Sequence, residues 1–356
     1  MIVGARSDDH GPATAAEIPF CRDESPGALV KVAGQSVVVR MGGTATADLL
    51  AAARAGEIGG VVLFPPPEID GDRLRAEISR AQAAAAAGGN PPLLVMIDQE
   101  GGVVERLPAL APQLSPYTIA QNDDRADASL EGHAAGFQLR DLGVNVNLAP
   151  VLDVPASPEQ FMTPRAFGST PEQVARLGLA FALGQQREGV AATAKHFPGL
   201  GRAVENTDFA PTRIGAPAEA LESDLRPFAA AAEAGVRLVM VGHASYPSLG
   251  ARGPASLSAD VVQGVLRDRL GFSAVVITDD LLAPAVSLEH PPREAAVLAS
   301  AAGNDLLLFA AEPTPGIAGE LARAAGTGAL APEGLRVSCE LIGALKQELA
   351  TPGGLR

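Results

Sequence analysis

The 356-residue chain is apolar at 47% of its positions yet only 4% aromatic and lacks tryptophan, so its core must be built from Ala, Val, Leu and Ile. A formal charge of −14, uninterrupted by any basic run, argues against a nucleic-acid partner; Cys21 and Cys339 are too few for a disulfide framework or a zinc site and read as ordinary thiols. No run of about 18 apolar residues and no charged start with an apolar core marks a membrane span or signal peptide, which leaves a cytoplasmic address as the default expectation.

Residues 1–28 are polar, punctuated by Gly and Pro and aperiodic, and read as a lead-in to one domain over 29–356. Short β-branched or Leu-rich runs then recur at 37–40, 61–64, 93–97, 144–148, 192–195, 238–241, 274–277 and 306–309. Between them the pattern predicts helices over 72–87, 125–142, 171–188, 217–234 and 258–270, with a last one over 332–349. The local chemistry agrees. Ser169-Thr170-Pro171-Glu172 supplies a cap, a first-turn proline and a capping-box acid, and Gly271 closes the helix opened by Ser258. Near-continuous apolar strands alternating with helices imply a parallel sheet covered on its outer face. Eight of them predict an α/β fold, a (β/α)8 TIM-type barrel, over an open doubly wound sheet, for which the glycine-rich dinucleotide fingerprint is also missing.

The active site of such a barrel lies at the C-terminal ends of its strands, so the polar residues after each run are the ones to inspect. The third run is followed by Asp98-Gln99-Glu100; the fourth by Asn147 and Asp153; the fifth by Lys195-His196; the sixth by His243; the seventh by Asp279-Asp280. Carboxylates converging on one rim beside Arg165, Lys195 and His196 suit a clamp for a polyhydroxylated substrate and attack on an acetal carbon. Acyl and phosphoryl transfer lack their motifs: there is no G-x-S-x-G elbow, Walker loop or H-E-x-x-H. No metal or cofactor is expected. Each residue also has a plain structural reading: Lys195 and His196 as a pair bracing the rim, Arg165 as a loop anchor on Asp153, and Asp208 as a solvated or turn-capping acid.

The segments IDQEGG (97–102), GVNVNLAPVLDV (143–154), RAFG (165–168), KHFPG (195–199) and TDDL (278–281) together resemble the catalytic domain of glycoside hydrolase family 3, nearest the single-domain bacterial β-N-acetylhexosaminidases. The similarity runs in order from about residue 37 to 309. It implies a retaining hydrolase acting on terminal β-linked sugars, such as β-N-acetylhexosaminides of cell-wall fragments. Asp279 would be the nucleophile, and Asp98, Arg165, Lys195 and His196 would grip the sugar.

The chain departs from the family pattern at the acid/base loop. Leu200 and Asn206 stand where N-acetylglucosaminidases of the family carry a histidine and an aspartate, and Asp208 stands in place of the catalytic histidine. Val103 and Ala283 replace a frequent arginine and methionine. An imidazole with a pKa near 6.5 shuttles protons well at neutral pH, whereas an exposed carboxyl near 4 is mostly ionised; a carboxyl acid here must be buried or repelled by a neighbour to donate. Asp208 is the first candidate for that acid and Glu205 the second. Two rival readings stay open: a family member that binds sugars or muropeptides without cleaving them, and a phosphorylase or transglycosylase on the same fold. The sequence is silent on oligomeric state.

Overall fold

The computed structural model describes residues 18–23, 25, 27–311, 316–351 and 355. His10 and most of the expected lead-in lie outside them. Eight parallel strands close a barrel: β1 (Val37–Met41), β2 (Gly60–Leu63), β3 (Leu94–Ile97), β4 (Val146–Asn147), β5 (Ala191–Phe197), β6 (Leu238–Val241), β7 (Val275–Asp280) and β8 (Leu306–Phe309). Each strand pairs with its sequence neighbours, and β1 closes on β8 through Val37–Leu307 and Val39–Phe309. The expected barrel is the observed one.

Alternation along each strand sends one set of side chains inward and the other toward the helices. Val38, Val62, Leu94, Met96, Val146, Leu238, Ile277 and Leu306 pack together in the lumen, while Val37, Val39, Val61 and Val95 join the helix-facing core. Ile342 and Leu345, from the final helix Pro332–Ala350, plug the lumen at the end where the strands begin. At the other end Val62, Leu148, Met240 and Leu308 form the apolar floor of an open pocket. The barrel is thus a filled core with one open mouth.

Helices begin and end where cap chemistry dictates. Thr170 accepts from the Gln173 amide at 3.2 Å and opens Pro171–Arg187, and Asp70 does the same for Gly71–Ala87. The helix expected from Ser258 begins at Asp260 and runs to Arg269 as a wider π-type helix, with Val261, Val262, Val265 and Leu266 buried as the pattern predicts. Short helices at Ala28–Gly34, Ala47–Ala55, Pro116–Asn122, Pro292–Ala302 and Ile317–Gly326 were not foreseen. Most of these runs are short, and Ala47–Ala55 and Pro292–Ala302 are rich in Ala, which weakens their signal.

The reading of the two cysteines as thiols is overturned: Cys21 and Cys339 form a disulfide across 318 residues of sequence. Tertiary packing brings them together. Cys21 lies on the buried side of the turn Pro19–Arg22, Cys339 on the final helix, and both pack on Val32. Arg22 reinforces the joint with an ion pair to Glu340 at 2.7 Å. Bonds of this kind persist in oxidising compartments. Among the described residues no helix is long and apolar enough to cross a membrane.

Candidate active site

Asp98, Arg165, Lys195, His196, Asp208 and Asp279 gather in one pocket of about 260 Å³, whereas Glu100, Asn147, Asp153 and His243 from the strand ends do not line it. Lys195 projects from β5 and donates to Asp98 at 2.8 Å and to Glu100 at 2.6 Å. Arg165, on the turn Thr163–Arg165, places its guanidinium flat against Glu100 with Nε–Oε2 at 2.8 Å and Nη2–Oε1 at 2.7 Å. Its expected alternative partner, Asp153, is not the one it takes. Glu100 belongs to the IDQEGG segment but was given no role, since nothing in its sequence position marks a carboxylate that will sit under two cations.

The energetics of this cluster follow from its burial. Burial pushes the Glu100 carboxyl up, but Arg165 and Lys195 outweigh it and hold the pKa at about 2. Burial likewise works against the Lys195 ammonium, and the Asp98 and Glu100 carboxylates reverse that and raise it. Both cations therefore stay charged at neutral pH. Arg106 adds a longer contact to Asp98 at 3.4 Å and lies over the Phe64 ring, 4.2 Å from its centroid, which fixes the outer wall.

Asp153, fully buried, explains the orientation of His196. Its Oδ1 accepts from the backbone amides of His196 at 3.2 Å and Leu200 at 2.6 Å, and its Oδ2 takes the ring Nδ1–H at 2.7 Å. Nε2 is left facing Arg165 and the pocket, 3.5 Å from Nη2. The Lys195–His196 and Phe197–Pro198 peptides are both cis. His243 is held from both sides, its Nδ1 by Ser256 Oγ and its Nε2 by the Asp280 carbonyl, each at 2.8 Å. Asn147 is a structural strand-end residue: it clasps the Gln99 backbone from both ends of its amide.

Asp279 sits at the end of β7 across the pocket from the cationic cluster. The strand shifts register against β8 between Ile277 and Asp280, and the Asp280 carboxylate accepts the Leu282 and Ala310 amides at 3.0 Å each, locking the chain just past Asp279. Asp279 itself accepts the Asp280 amide at 2.9 Å. Burial raises its pKa, but the imidazoles of His196 and His243 outweigh that and the group lies below its ordinary value. An ionised carboxylate near Lys195 and two imidazoles but bound to none of them is a competent nucleophile.

The loop after β5 completes the wall. Asn206, Thr207 and Asp208 line the pocket; the Asn206 amide donates to Asp208 Oδ2 at 3.1 Å, and Thr207 is buried with its carbonyl bound by the Ala285 amide. Glu205 is exposed and does not line the pocket; its carbonyl accepts from Thr212. Leu200 is buried in the apolar wall where a second imidazole was expected in the family pattern. Among the described residues no group of three or more His, Cys, Asp or Glu side chains is arranged to hold a metal ion.

Comparison with known proteins bears on this geometry. The model of the glycosyl hydrolase family 3 N-terminal domain matches residues 31–342. The chain belongs to glycosyl hydrolase family 3. It is 35% identical over 334 residues to an uncharacterised secreted glycosyl hydrolase of Arthroderma benhamiae, covering 90% of this chain and 94% of that one. It is 31% identical to a β-hexosaminidase of Methylococcus capsulatus over 72% of this chain and 76% of the relative. Among solved structures, a β-N-acetylhexosaminidase from Beutenbergia cavernae superposes with a TM-score of 0.81 at 34% identity, over 90% of this chain and 98% of the other. A family 3 β-N-acetylglucosaminidase from Paenibacillus sp. superposes with a TM-score of 0.86 at 34% identity, over 90% of this chain; the chain spans 62% of that longer protein. The family assignment agrees with the fold and with the pocket's position on it.

Proposed function

We propose that the chain is a retaining β-N-acetylhexosaminidase that removes a terminal sugar through a covalent intermediate on Asp279. The observation that carries this reading is the pairing across one pocket of an ionised carboxylate on β7 with the hydrogen-bonding cluster of Asp98, Arg165, Lys195 and His196. Asp98, Lys195 and Arg165 hold the sugar hydroxyls, and Asp279 attacks the anomeric carbon from the opposite face to the leaving oxygen. Asp208 is exposed on the loop above, and in this reading a bound sugar covers it before it protonates that oxygen and then draws a proton from the water that releases the sugar. The names of the relatives support an N-acetylhexosamine as that sugar. Cell-wall fragments are one source of such glycosides, and neutral oligosaccharides are another; the leaving group separates the two.

Incubation with a fluorinated mechanism-based glycoside followed by peptide mass spectrometry tests the nucleophile. The expected adduct lies on the peptide containing Asp279, and Asp279→Ala abolishes turnover; an adduct elsewhere, or normal turnover by the variant, ends the assignment. For the acid, Asp208→Asn should lose activity on poor leaving groups while keeping it on aryl glycosides that need no protonation. Equal losses on both substrate types refute that role.

A further inference from the structure

At the end of the barrel where the strands begin, away from the catalytic mouth, another pocket of about 250 Å³ lies between the final helix Pro332–Ala350, the turn Pro19–Arg22 and the residues leading into β1 and β3. Its walls are apolar, formed by Ile18, Phe20, Pro91, Pro92 and the Cys21–Cys339 disulfide. Gly343 leaves the helix bare where Ile18 packs on it: a Cβ there would stand 2.3 Å from Ile18 Cδ1. Pro92, Gln347 and Ala350 are exposed, so the pocket opens to solvent on their side.

Two buried polar side chains interrupt this lining, Lys346 at 7% exposure and Gln35 at 2%, and neither is fully matched. Among the described residues the ammonium has one hydrogen-bond partner, Gln35 Oε1 at 2.7 Å, and no carboxylate. An ammonium can only donate, so that bond fixes how the amide faces: Oε1 takes the lysine, and Nε2, a donor, is buried without an acceptor. Burial alone acts on Lys346 and lowers its pKa to about 7. The other buried cations are treated differently. Lys195 meets Asp98 and Glu100, Arg165 meets Glu100, and Arg267 meets Asp305. Glu340, the acid beside the disulfide, is joined to Arg22 at 2.7 Å and does not line the pocket.

Both unmatched groups ask for an acceptor, and the ammonium asks for one that is negative. A carboxylate meets both demands. Its one oxygen can take Nζ and its other Nε2, because the two donors meet at a single amide. A phosphate would bring more oxygens than two side chains can satisfy, and the rest of the lining is apolar. The same lining suits an aliphatic chain, whose removal from water adds to the binding.

We infer that this pocket binds a free aliphatic carboxylic acid, with its carboxylate on Lys346 and Gln35 and its chain against Phe20, Pro91 and the disulfide. The site shares no residue with the catalytic pocket and stands independently of the glycosidase reading.

Calorimetry of the full chain with octanoate, octanamide and acetate at pH 7 tests the site. Octanoate should bind about tenfold tighter, or more, than octanamide, which keeps the chain and loses the charge, and than acetate, which keeps the charge and loses the chain. Lys346→Met keeps an unbranched side chain without the charge. It should abolish the preference for acid over amide while leaving aryl glycoside turnover within about twofold, since the residue is remote from the reacting atoms. A measurement on the wild type serves if that variant does not fold. A bound carboxylate raises the lysine's pKa, so octanoate binding at pH 8 should draw close to one proton from solution, read as a difference in heat between buffers of unlike ionisation enthalpy; octanamide should draw none. The inference is overturned by equal affinities for octanoate and either control, by an unchanged preference in Lys346→Met, or by octanoate binding without proton uptake.

Discussion

Replacing Glu100 by glutamine tests whether the cationic cluster is held by charge or by shape. The Glu100 side chain is 1% exposed and lies against Lys195 at 3% and Arg165 at 17% exposure, so little solvent screens the three groups. The drop of its pKa from the ordinary 4.5 to about 2 is equivalent to roughly 3 kcal/mol of stability at neutral pH. That lies within the roughly 3–5 kcal/mol expected for breaking a buried ion pair by removing one partner. The opposite shift of Arg165 describes the same interaction and is counted once. The sign follows from the direction: a carboxyl whose folded pKa is depressed stabilises fully above its unfolded value and loses that contribution as pH falls toward about 2. The gap between wild type and Glu100→Gln in urea unfolding should therefore be about 2 kcal/mol larger at pH 7 than at pH 3. A gap that is the same at both pH values, or below about 1 kcal/mol at pH 7, refutes the electrostatic account.

The disulfide closes a loop of more than 300 residues, so Cys339→Ser should cost about 5 kcal/mol in urea unfolding while aryl glycoside turnover stays unchanged, because the bond sits at the end of the barrel away from the pocket. Reduction without loss of stability would contradict this. Lys346, buried with its ammonium on Gln35 Oε1 at 2.7 Å, has its pKa lowered by burial to about 7. The unfolded chain then holds more protons between pH 7 and about 10.4, so stability should rise with pH across that window; the double variant Gln35→Leu with Lys346→Met should flatten the rise. An unchanged slope in pH-dependent unfolding would remove Lys346 as its source. Asp153→Asn, which deprives the His196 ring of its anionic partner, should lower kcat by about ten- to a hundredfold with a smaller effect on KM. A change confined to thermal stability would reduce Asp153 to a structural support.

How much of this was legible in the sequence depends on the range of the signal. Barrel strands announce themselves because both faces are buried, and each expected run falls within a few residues of a real strand; β5 and β7 extend further, to Phe197 and Asp280, because polar residues there face the pocket while their backbones keep the ladder. The strand ends were informative for the same reason: they placed Asp98, Lys195, His196 and Asp279 at one mouth before any coordinates. What pairs with what was not legible. Glu100 looks like any motif glutamate until Arg165, 65 residues away, lies flat against it, and the Cys21–Cys339 bond depends on the ring of strands bringing the two ends of the chain together. Local propensity carries no information about contacts of that separation.

The pairing pattern also accounts for the division of labour in the pocket. Asp98, Lys195, Glu100, Arg165, His196 and Asp153 form a run of contacts that joins β3, the loop after β4, and β5. Its cations are saturated by carboxylates, so their geometry is set before a sugar arrives and needs little reorganisation as charge develops. Asp279 is built the other way. Among the described residues its hydrogen bond comes from the neighbouring Asp280 amide alone, and His196, His243 and Lys195 act on it through their fields rather than by contact. A carboxylate tied to Lys195 would have to break that bond to attack. Placing Asp279 on β7, opposite the saturated cluster, keeps it ionised and leaves its oxygen free, as the proposed attack on the anomeric carbon requires.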